Sequence, residues 1–193
     1  DLYRDGGKVF RINDDGSIPS DNPYVDKIGI NPAIYSYGHR NPQGIFYHPG
    51  TDEIWTNEHG PRGGDEINII KPLKNYGWPV ISYGINYDST IFTDLTAKTG
   101  MEQPLYYWVP SIAPSCFEYL DSDVYDGWNG SLLVGSLNYG YLERLTTNIF
   151  GKVNYREKIA PEIGRVRDVK VSPDGYIHLA VEKDGIYLSL IHI

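Results

Sequence analysis

The sequence contains one cysteine, no basic cluster and no long apolar run, and each of these shortages excludes a class of protein. Cys116 is the single cysteine among the 193 residues, so no disulfide forms within the chain. The net charge of -8 argues against a nucleic-acid partner, because a phosphate backbone needs clustered positive charge opposite it. No apolar stretch is long enough to cross a bilayer as a helix.

The composition favours short strands joined by tight turns. The chain has 21 glycines, 13 prolines and 13% aromatic residues, a mixture that is typical of strand-rich proteins and unusual for helical ones. The length is that of one domain. We therefore predict an all-β fold.

The region around residues 38–66 predicts a β-hairpin with two polar turns. Segments 44–49 and 53–58 are rich in β-branched and aromatic residues, and a Pro-Gly-Thr-Asp turn separates them. Antiparallel pairing brings the turn before the first strand and the turn after the second to the same end. Both turns are dense in Gly and Pro and can offer carbonyls to a hard cation or N–H groups to an anion.

The same hairpin pattern recurs along the chain. Residues 167–181 repeat it, residues 114–135 give a weaker copy, and residues 7–16 alternate as one strand with a buried face. Repetition every 50 to 70 residues or so suggests propeller blades, about three in number. Closed propellers need about four to eight blades, so we expect part of a larger propeller. A complete small β-sandwich is the alternative.

Three linked motifs carry a family resemblance: GHRNPQG at 38–44, EHGPRGGDEIN at 58–68 and KNYGWPVISYG at 74–84. In this order they resemble the glucose/sorbosone dehydrogenases, especially the bacterial aldose sugar dehydrogenases. The resemblance covers nearly the whole chain. It implies a six-bladed β-propeller that binds pyrroloquinoline quinone (PQQ) and calcium, with residues 1–193 as its C-terminal part.

The implied activity is oxidation of the anomeric carbon of a sugar to a lactone, with electrons passed to an external acceptor. The implied location is the periplasm or the cell exterior. A non-catalytic propeller that binds a protein or glycan is the rival interpretation. The identity of the sugar, the acceptor and the oligomeric state stay open.

Two arginine sites are candidates for holding PQQ. The resemblance assigns Arg40 and Asn41 to the ortho-quinone oxygens and ring edge, while Gln43 either joins them or bonds the backbone of its own turn. Arg165 and Arg167 are two residues apart, a spacing that puts both guanidiniums on one face of a strand, where they suit a polycarboxylate. Two solvated strand arginines are the alternative, but the family has a matching pair on the PQQ carboxylates.

Three further residues are weaker candidates for the cofactor site. Tyr106 and Trp108 resemble the aromatic flank that covers the quinone in the family, although ordinary packing explains them equally well. Asn138 stands where several relatives have Lys. An amide donates a hydrogen bond but brings no positive charge.

The resemblance also implies two calcium positions and an absent base. The carbonyls of Gly60 and Pro61 would bind the calcium that contacts PQQ, and Glu66 with the Tyr76 carbonyl would bind a second one. The family's catalytic base is a His in a His-x-Gly-Gly segment, and we expect it upstream because no His precedes Gly38. We interpret His59 as an ordinary histidine. The apolar ending 188–193 is either a final strand or a departure from the family.

Overall fold

The structure is a computed structural model that describes residues 2–189, and its regular elements are antiparallel strands. Between residues 2 and 189, no helix is long and apolar enough to cross a membrane. The strands are β1 Lys8–Phe10, β2 Ile34–Tyr37, β3 Pro42–His48, β4 Glu53–Glu58, β5 Asp65–Ile70, β6 Tyr106–Trp108, β7 Pro114–Leu120, β8 Ser131–Ser136, β9 Tyr141–Thr147, β10 Val153–Ile159, β11 Val166–Val171, β12 Ile177–Val181 and β13 Gly185–Leu188.

The strands form a row of sheets in sequence order. Strands β3 to β6 and β7 to β10 each make a four-stranded sheet, β11 to β13 make a three-stranded sheet, and β1 pairs with β2. The first strands of successive sheets pack together, β3 on β7 and β7 on β11. This row confirms the propeller prediction of about three blades and excludes the sandwich. The strand pair at the start and the three-stranded last sheet are smaller than the two four-stranded sheets between them.

The predicted hairpins are present. Pro42 lies opposite Glu58, so the polar turns before β3 and after β4 do share one end of the sheet. The repeats at 114–135 and 167–181 correspond to β7–β8 and β11–β12. The strand expected over residues 7–16 is shorter than predicted, because its partner β2 pairs with Lys8–Phe10 alone. At the other end β13 stops at Leu188, and the prediction for residues 190–193 lies outside the described residues.

Two apolar clusters join the three large sheets. One includes Phe46, Trp55, Trp108 and Phe117 and fills the space between the two four-stranded sheets. The other includes Cys116 and lies between the second of these sheets and the three-stranded sheet. Burial raises the pKa of the Cys116 thiol to about 12, which identifies it as a packing residue.

Charged residues are also buried on β9, where they are paired. Glu143 accepts hydrogen bonds from Trp108 Nε1 at 2.7 Å and from Arg156 Nε at 2.9 Å. Arg144 pairs with Glu157, and its guanidinium lies 4.8 Å from the ring centre of Trp128. Buried charge is tolerated when it is paired in this way.

Candidate functional site

Three loops of the two four-stranded sheets meet at one end of the row, next to Arg165, which precedes the three-stranded sheet. We name them the Gly60 turn (residues 59–64, between β4 and β5), the inter-sheet linker (109–113, between β6 and β7) and the Asn138 turn (137–140, between β8 and β9). An open cleft of about 520 Å³ lies between them, within the usual size range of small-molecule sites. The cleft is lined by His59, Gly60, Pro61, Arg62, Tyr87, Pro110, Ser111, Ala113, Leu137, Asn138, Tyr139 and Arg165.

Arg40, in the turn before β3, lines the small cavity beside the Gly60 turn and contacts two residues of the cleft lining, His59 and Tyr87. Its Nη1 donates to the His59 carbonyl at 3.2 Å, and its Nη2 lies 3.5 Å from the Tyr87 hydroxyl. The guanidinium also lies 5.3 Å from the ring centre of Trp78. Asn41, the next residue, is exposed, and Gln43 donates to the Pro42 carbonyl at 3.2 Å. Gln43 therefore bonds its own turn, which was the second of its two predicted roles.

The buried carboxylate of Glu58 holds the main chain of Arg40 and Asn41 in the turn before β3. The sequence analysis did not identify Glu58 as a candidate. Glu58 Oε2 accepts from the Arg40 N–H at 2.6 Å and from the Asn41 N–H at 3.2 Å. Its other oxygen accepts from Asn68 Nδ2 at 2.9 Å and lies 3.1 Å from His39 Nδ1. Both candidate residues for the quinone edge are thus held at the main chain.

A small, partly open cavity beside the Gly60 turn has room for a single cation. Its volume of about 10 Å³ holds one water-sized sphere, and Glu58, Gly60, Glu66 and Tyr76 are among its lining residues. Glu58 and Glu66 lie directly opposite each other on β4 and β5, and like charges so placed repel. Burial, and then the Glu58 charge, raise the pKa of Glu66 to about 8.

The donor set of this cavity fits a hard cation that prefers oxygen ligands. Asn68 Nδ2 bridges the two carboxylates at 2.9 and 3.1 Å, which offsets part of their repulsion. Within residues 2–189, no group of three or more His, Cys, Asp or Glu side chains is arranged for a metal. A cation here would need main-chain carbonyls as well, and calcium accepts them readily.

Arg165 and Arg167 are held by one acidic residue. Arg165 Nε and Arg167 Nη2 bind the same oxygen of Glu182, at 2.7 and 2.6 Å, so the two side chains do share one side. Arg165 lies one residue before β11 and also donates to the Leu137 carbonyl at 3.2 Å. It lines the cleft, whereas Arg167 lies outside the lining. Both side chains are about half exposed.

The remaining cofactor candidates divide into one at the cleft and two away from it. Asn138 lines the cleft and donates through Nδ2 to the Ser111 carbonyl at 3.1 Å. Trp108 is 1% exposed and belongs to the inter-sheet core, and Tyr106 accepts a hydrogen bond from Arg156 at 3.0 Å. Neither aromatic ring forms part of the cofactor site proposed below.

The His59 imidazole has a structural partner. Its Nε2 lies 2.7 Å from the carbonyl oxygen of Pro114, the first residue of β7. Since a carbonyl only accepts, Nε2 carries the proton. His59 therefore ties two sheets together, in agreement with its interpretation as an ordinary histidine.

The family model described as Glucose / Sorbosone dehydrogenase matches residues 1–189. The chain is 40% identical to the aldose sugar dehydrogenase YliI of Escherichia coli over 96% of its length and 50% of that protein. It is 30% identical to quinoprotein glucose dehydrogenase B of Acinetobacter calcoaceticus, over 89% of this chain and 46% of that one. The chain therefore spans about half the length of the curated relatives that it matches.

Solved structures of aldose sugar dehydrogenases also superpose on this chain. The apo form of the soluble aldose sugar dehydrogenase from E. coli superposes with a TM-score of 0.91 at 39% identity, covering 97% of this chain and 55% of that one. The PQQ-bound aldose sugar dehydrogenase from Streptomyces coelicolor superposes with a TM-score of 0.71 at 26% identity, covering 97% and 53%.

Proposed function

Because the chain belongs to the Glucose / Sorbosone dehydrogenase family, we propose that it is the cofactor-binding part of a PQQ- and calcium-dependent aldose sugar dehydrogenase. In this proposal, residues 1–193 are the C-terminal part of a six-bladed propeller. The complete protein oxidises the anomeric carbon of a sugar to a lactone and passes electrons to an external acceptor, in the periplasm or outside the cell. The supporting observation is the meeting of the Gly60 turn, Asn138 and Arg165 around one cleft.

The candidate cofactor residues in and around the cleft have complementary roles in this proposal. Arg165 and Arg167 bind the cofactor carboxylates, since a forked guanidinium matches a carboxylate in two hydrogen bonds. Asn138 donates an amide hydrogen bond, and Arg40 with Asn41 holds the quinone edge. When bound, PQQ supplies the quinone that accepts the hydride from the sugar.

In this proposal, calcium binds at the Gly60 turn. The carbonyls of Gly60 and Pro61 would hold the ion that touches the cofactor, and Glu66 with the Tyr76 carbonyl would hold a second one. The small cavity supports the second of these positions, because Glu66 and Tyr76 line it, Glu58 faces Glu66 there, and it has room for one ion.

The base that takes the sugar hydroxyl proton is proposed to be a His outside this chain. The histidines near the cleft are occupied: His39 is buried between Ser36 and Glu58, and His59 donates to Pro114. The chain alone is therefore expected to bind cofactor without oxidising sugar.

One observation favours the rival, a non-catalytic binding module. Glu182 already neutralises part of the charge of Arg165 and Arg167, and Asn138 adds none. A cleft with this charge attracts a polycarboxylate less strongly than two free guanidiniums would. PQQ binding separates the two candidates directly.

The test is a calorimetric titration of the purified chain with PQQ, in calcium and in EGTA. We expect binding that calcium strengthens. Arg165→Ala with Arg167→Ala should weaken it about tenfold to hundredfold, because hydrogen bonds between charged groups contribute roughly 1.5 to 3 kcal/mol and these side chains are half exposed.

The matched control is Lys152→Ala with Lys170→Ala, which removes two positive charges away from the cleft. It should change PQQ affinity by less than about twofold, since distant surface charges are screened by salt. Equal losses of PQQ affinity in both double variants would show that the two arginines act only as non-specific positive charge. No PQQ binding by the unaltered chain would favour the binding module.

A further inference from the structure

Asp65 is a buried carboxylate with no place in the proposed cofactor contacts. It is the first residue of β5 and its exposed fraction is 0%. The groups that donate hydrogen bonds to it are all neutral and belong to two different loops. Burial of an ionised group is costly, so a carboxylate in this position needs every one of these hydrogen bonds.

One oxygen of Asp65 holds the Gly60 turn. Asp65 Oδ1 accepts from the Gly60 N–H at 2.9 Å and from the Ser111 hydroxyl at 2.9 Å. The Gly60 N–H belongs to the residue whose carbonyl is a calcium candidate. The position of this peptide is therefore set by Asp65.

The other oxygen holds the inter-sheet linker. Asp65 Oδ2 accepts from the Ser111 hydroxyl at 2.7 Å, from the Ile112 N–H at 2.7 Å and from the Ala113 N–H at 3.0 Å. A single side chain thus joins a turn of one sheet to the connection that leads into the next.

The linker in turn holds the cofactor-facing groups of the second sheet. The Asn138 N–H donates to the Ile112 carbonyl at 3.2 Å, and the Leu137 N–H donates to the Ala113 carbonyl at 3.0 Å. The Leu137 carbonyl accepts from Arg165 at 3.2 Å. Hydrogen bonds and single peptide units therefore connect the Gly60 turn, through Asp65, to Asn138 and Arg165.

We infer that Asp65 is a positioning residue that couples calcium binding at the Gly60 turn to cofactor binding at the Asn138 turn and Arg165. This inference rests on the proposed function. A cation on the Gly60 and Pro61 carbonyls restricts the turn. Asp65 transmits the restriction to the linker, so that the linker loses less conformational entropy when the cofactor binds. Such coupling is reciprocal, and PQQ must raise calcium affinity by the same factor.

The first test uses calcium alone and reads hydrogen exchange by mass spectrometry. In the unaltered chain, calcium should slow exchange in the Gly60 turn and also in the inter-sheet linker. In Asp65→Asn, whose amide presents N–H groups to main-chain donors, calcium should slow exchange in the turn only. Equal calcium-dependent protection of the linker in both proteins would overturn the inference.

The second test is a binding cycle. The ratio of PQQ dissociation constants in EGTA and in calcium should be about tenfold or more in the unaltered chain and close to one in Asp65→Asn. A residue with a merely structural role would weaken PQQ binding in both buffers and leave that ratio unchanged. An unchanged ratio would therefore overturn the inference.

A milder variant decides the question if Asp65→Asn fails to fold. Ser111→Ala removes the hydroxyl that bonds both Asp65 oxygens and leaves the carboxylate and its main-chain donors, so the ratio should fall partway. Ser115→Ala is the matched control, because its hydroxyl bonds the Val166 carbonyl, and it should keep the full ratio. If Ser111→Ala kept the full ratio of PQQ dissociation constants in EGTA and in calcium, the inference would be refuted. Absence of both calcium and PQQ binding in the unaltered chain would instead refute the proposed function.

Discussion

Gly60→Ala tests whether the Gly60 turn depends on a close approach of backbone to backbone. A Cβ placed on Gly60 would lie 2.2 Å from the Gly63 carbonyl oxygen and 2.4 Å from the carbonyl carbon and oxygen of Gly64. These obstacles are main-chain atoms, which cannot rotate aside. Gly64 is itself anchored by its N–H, which donates to the Trp108 carbonyl at 2.7 Å.

The geometry gives the expected magnitude. Relief of the clash needs a shift of roughly 0.8 Å, the difference between 2.2 Å and the 3.0 Å that Cβ atoms keep from other atoms. Overpacking of this kind costs about 1 to 3 kcal/mol of stability. Calcium–oxygen distances span only about 2.3 to 2.6 Å, so the same shift should also weaken calcium binding, by about tenfold or more.

Urea unfolding in EGTA and in calcium measures both effects. For the unaltered chain, calcium at a hundredfold excess over its dissociation constant should add about 2.7 kcal/mol, and Gly60→Ala should lose most of this increment. Gly6→Ala is the control, because its Cβ would have no atom within 4 Å. If Gly60→Ala matched Gly6→Ala in stability and in calcium response, the steric reasoning would be refuted.

Two further predictions concern the inter-sheet core. Trp108→Phe should lower the free energy of unfolding by about 1.5 to 3 kcal/mol more than Trp55→Phe, because Trp108 Nε1 donates to buried Glu143 while Trp55 Nε1 has no partner within residues 2–189. If urea unfolding gave the same loss of unfolding free energy for both variants, the hydrogen bond from Trp108 to Glu143 would make no net contribution to stability. The Cys116 thiol, with its pKa raised to about 12, should resist a thiol reagent between pH 7 and 9 in the native chain and react in urea. Native labelling at the rate of a free thiol would contradict its burial.

The hairpins were predictable because their signals are local. Alternation and a Pro-containing turn identify β3–β4 and β11–β12 from residues that are adjacent in the sequence. β9 escaped prediction because Glu143 and Arg144 occupy consecutive buried positions, which destroys the alternation. Their partners Arg156 and Glu157 are both 13 residues away, on β10, so the compensation is visible only in the fold.

The sequence identified candidate cofactor residues of the site but not the buried carboxylates that support their loops. Arg40 and Gly60 lie in two of the motifs that resemble a family, and Arg165 was singled out by its two-residue spacing from Arg167. Glu58 and Asp65 stand inside one of those motifs, yet sequence reasoning passed over them. Their role depends on donors that lie 17 to 19 residues away for Glu58 and 46 to 48 residues away on the linker for Asp65.

The order of the strands has a consequence for how the site forms. Within each large sheet the strands are sequence neighbours, so each sheet needs only short loop closures and can form early. The cleft needs loops of two sheets and Arg165, next to the third, and exists only after those sheets have docked. A ligand bound there stabilises the docked state rather than any single sheet, and should therefore slow unfolding more than it speeds folding. Unfolding rates measured with and without ligand would thus report on the interfaces between sheets.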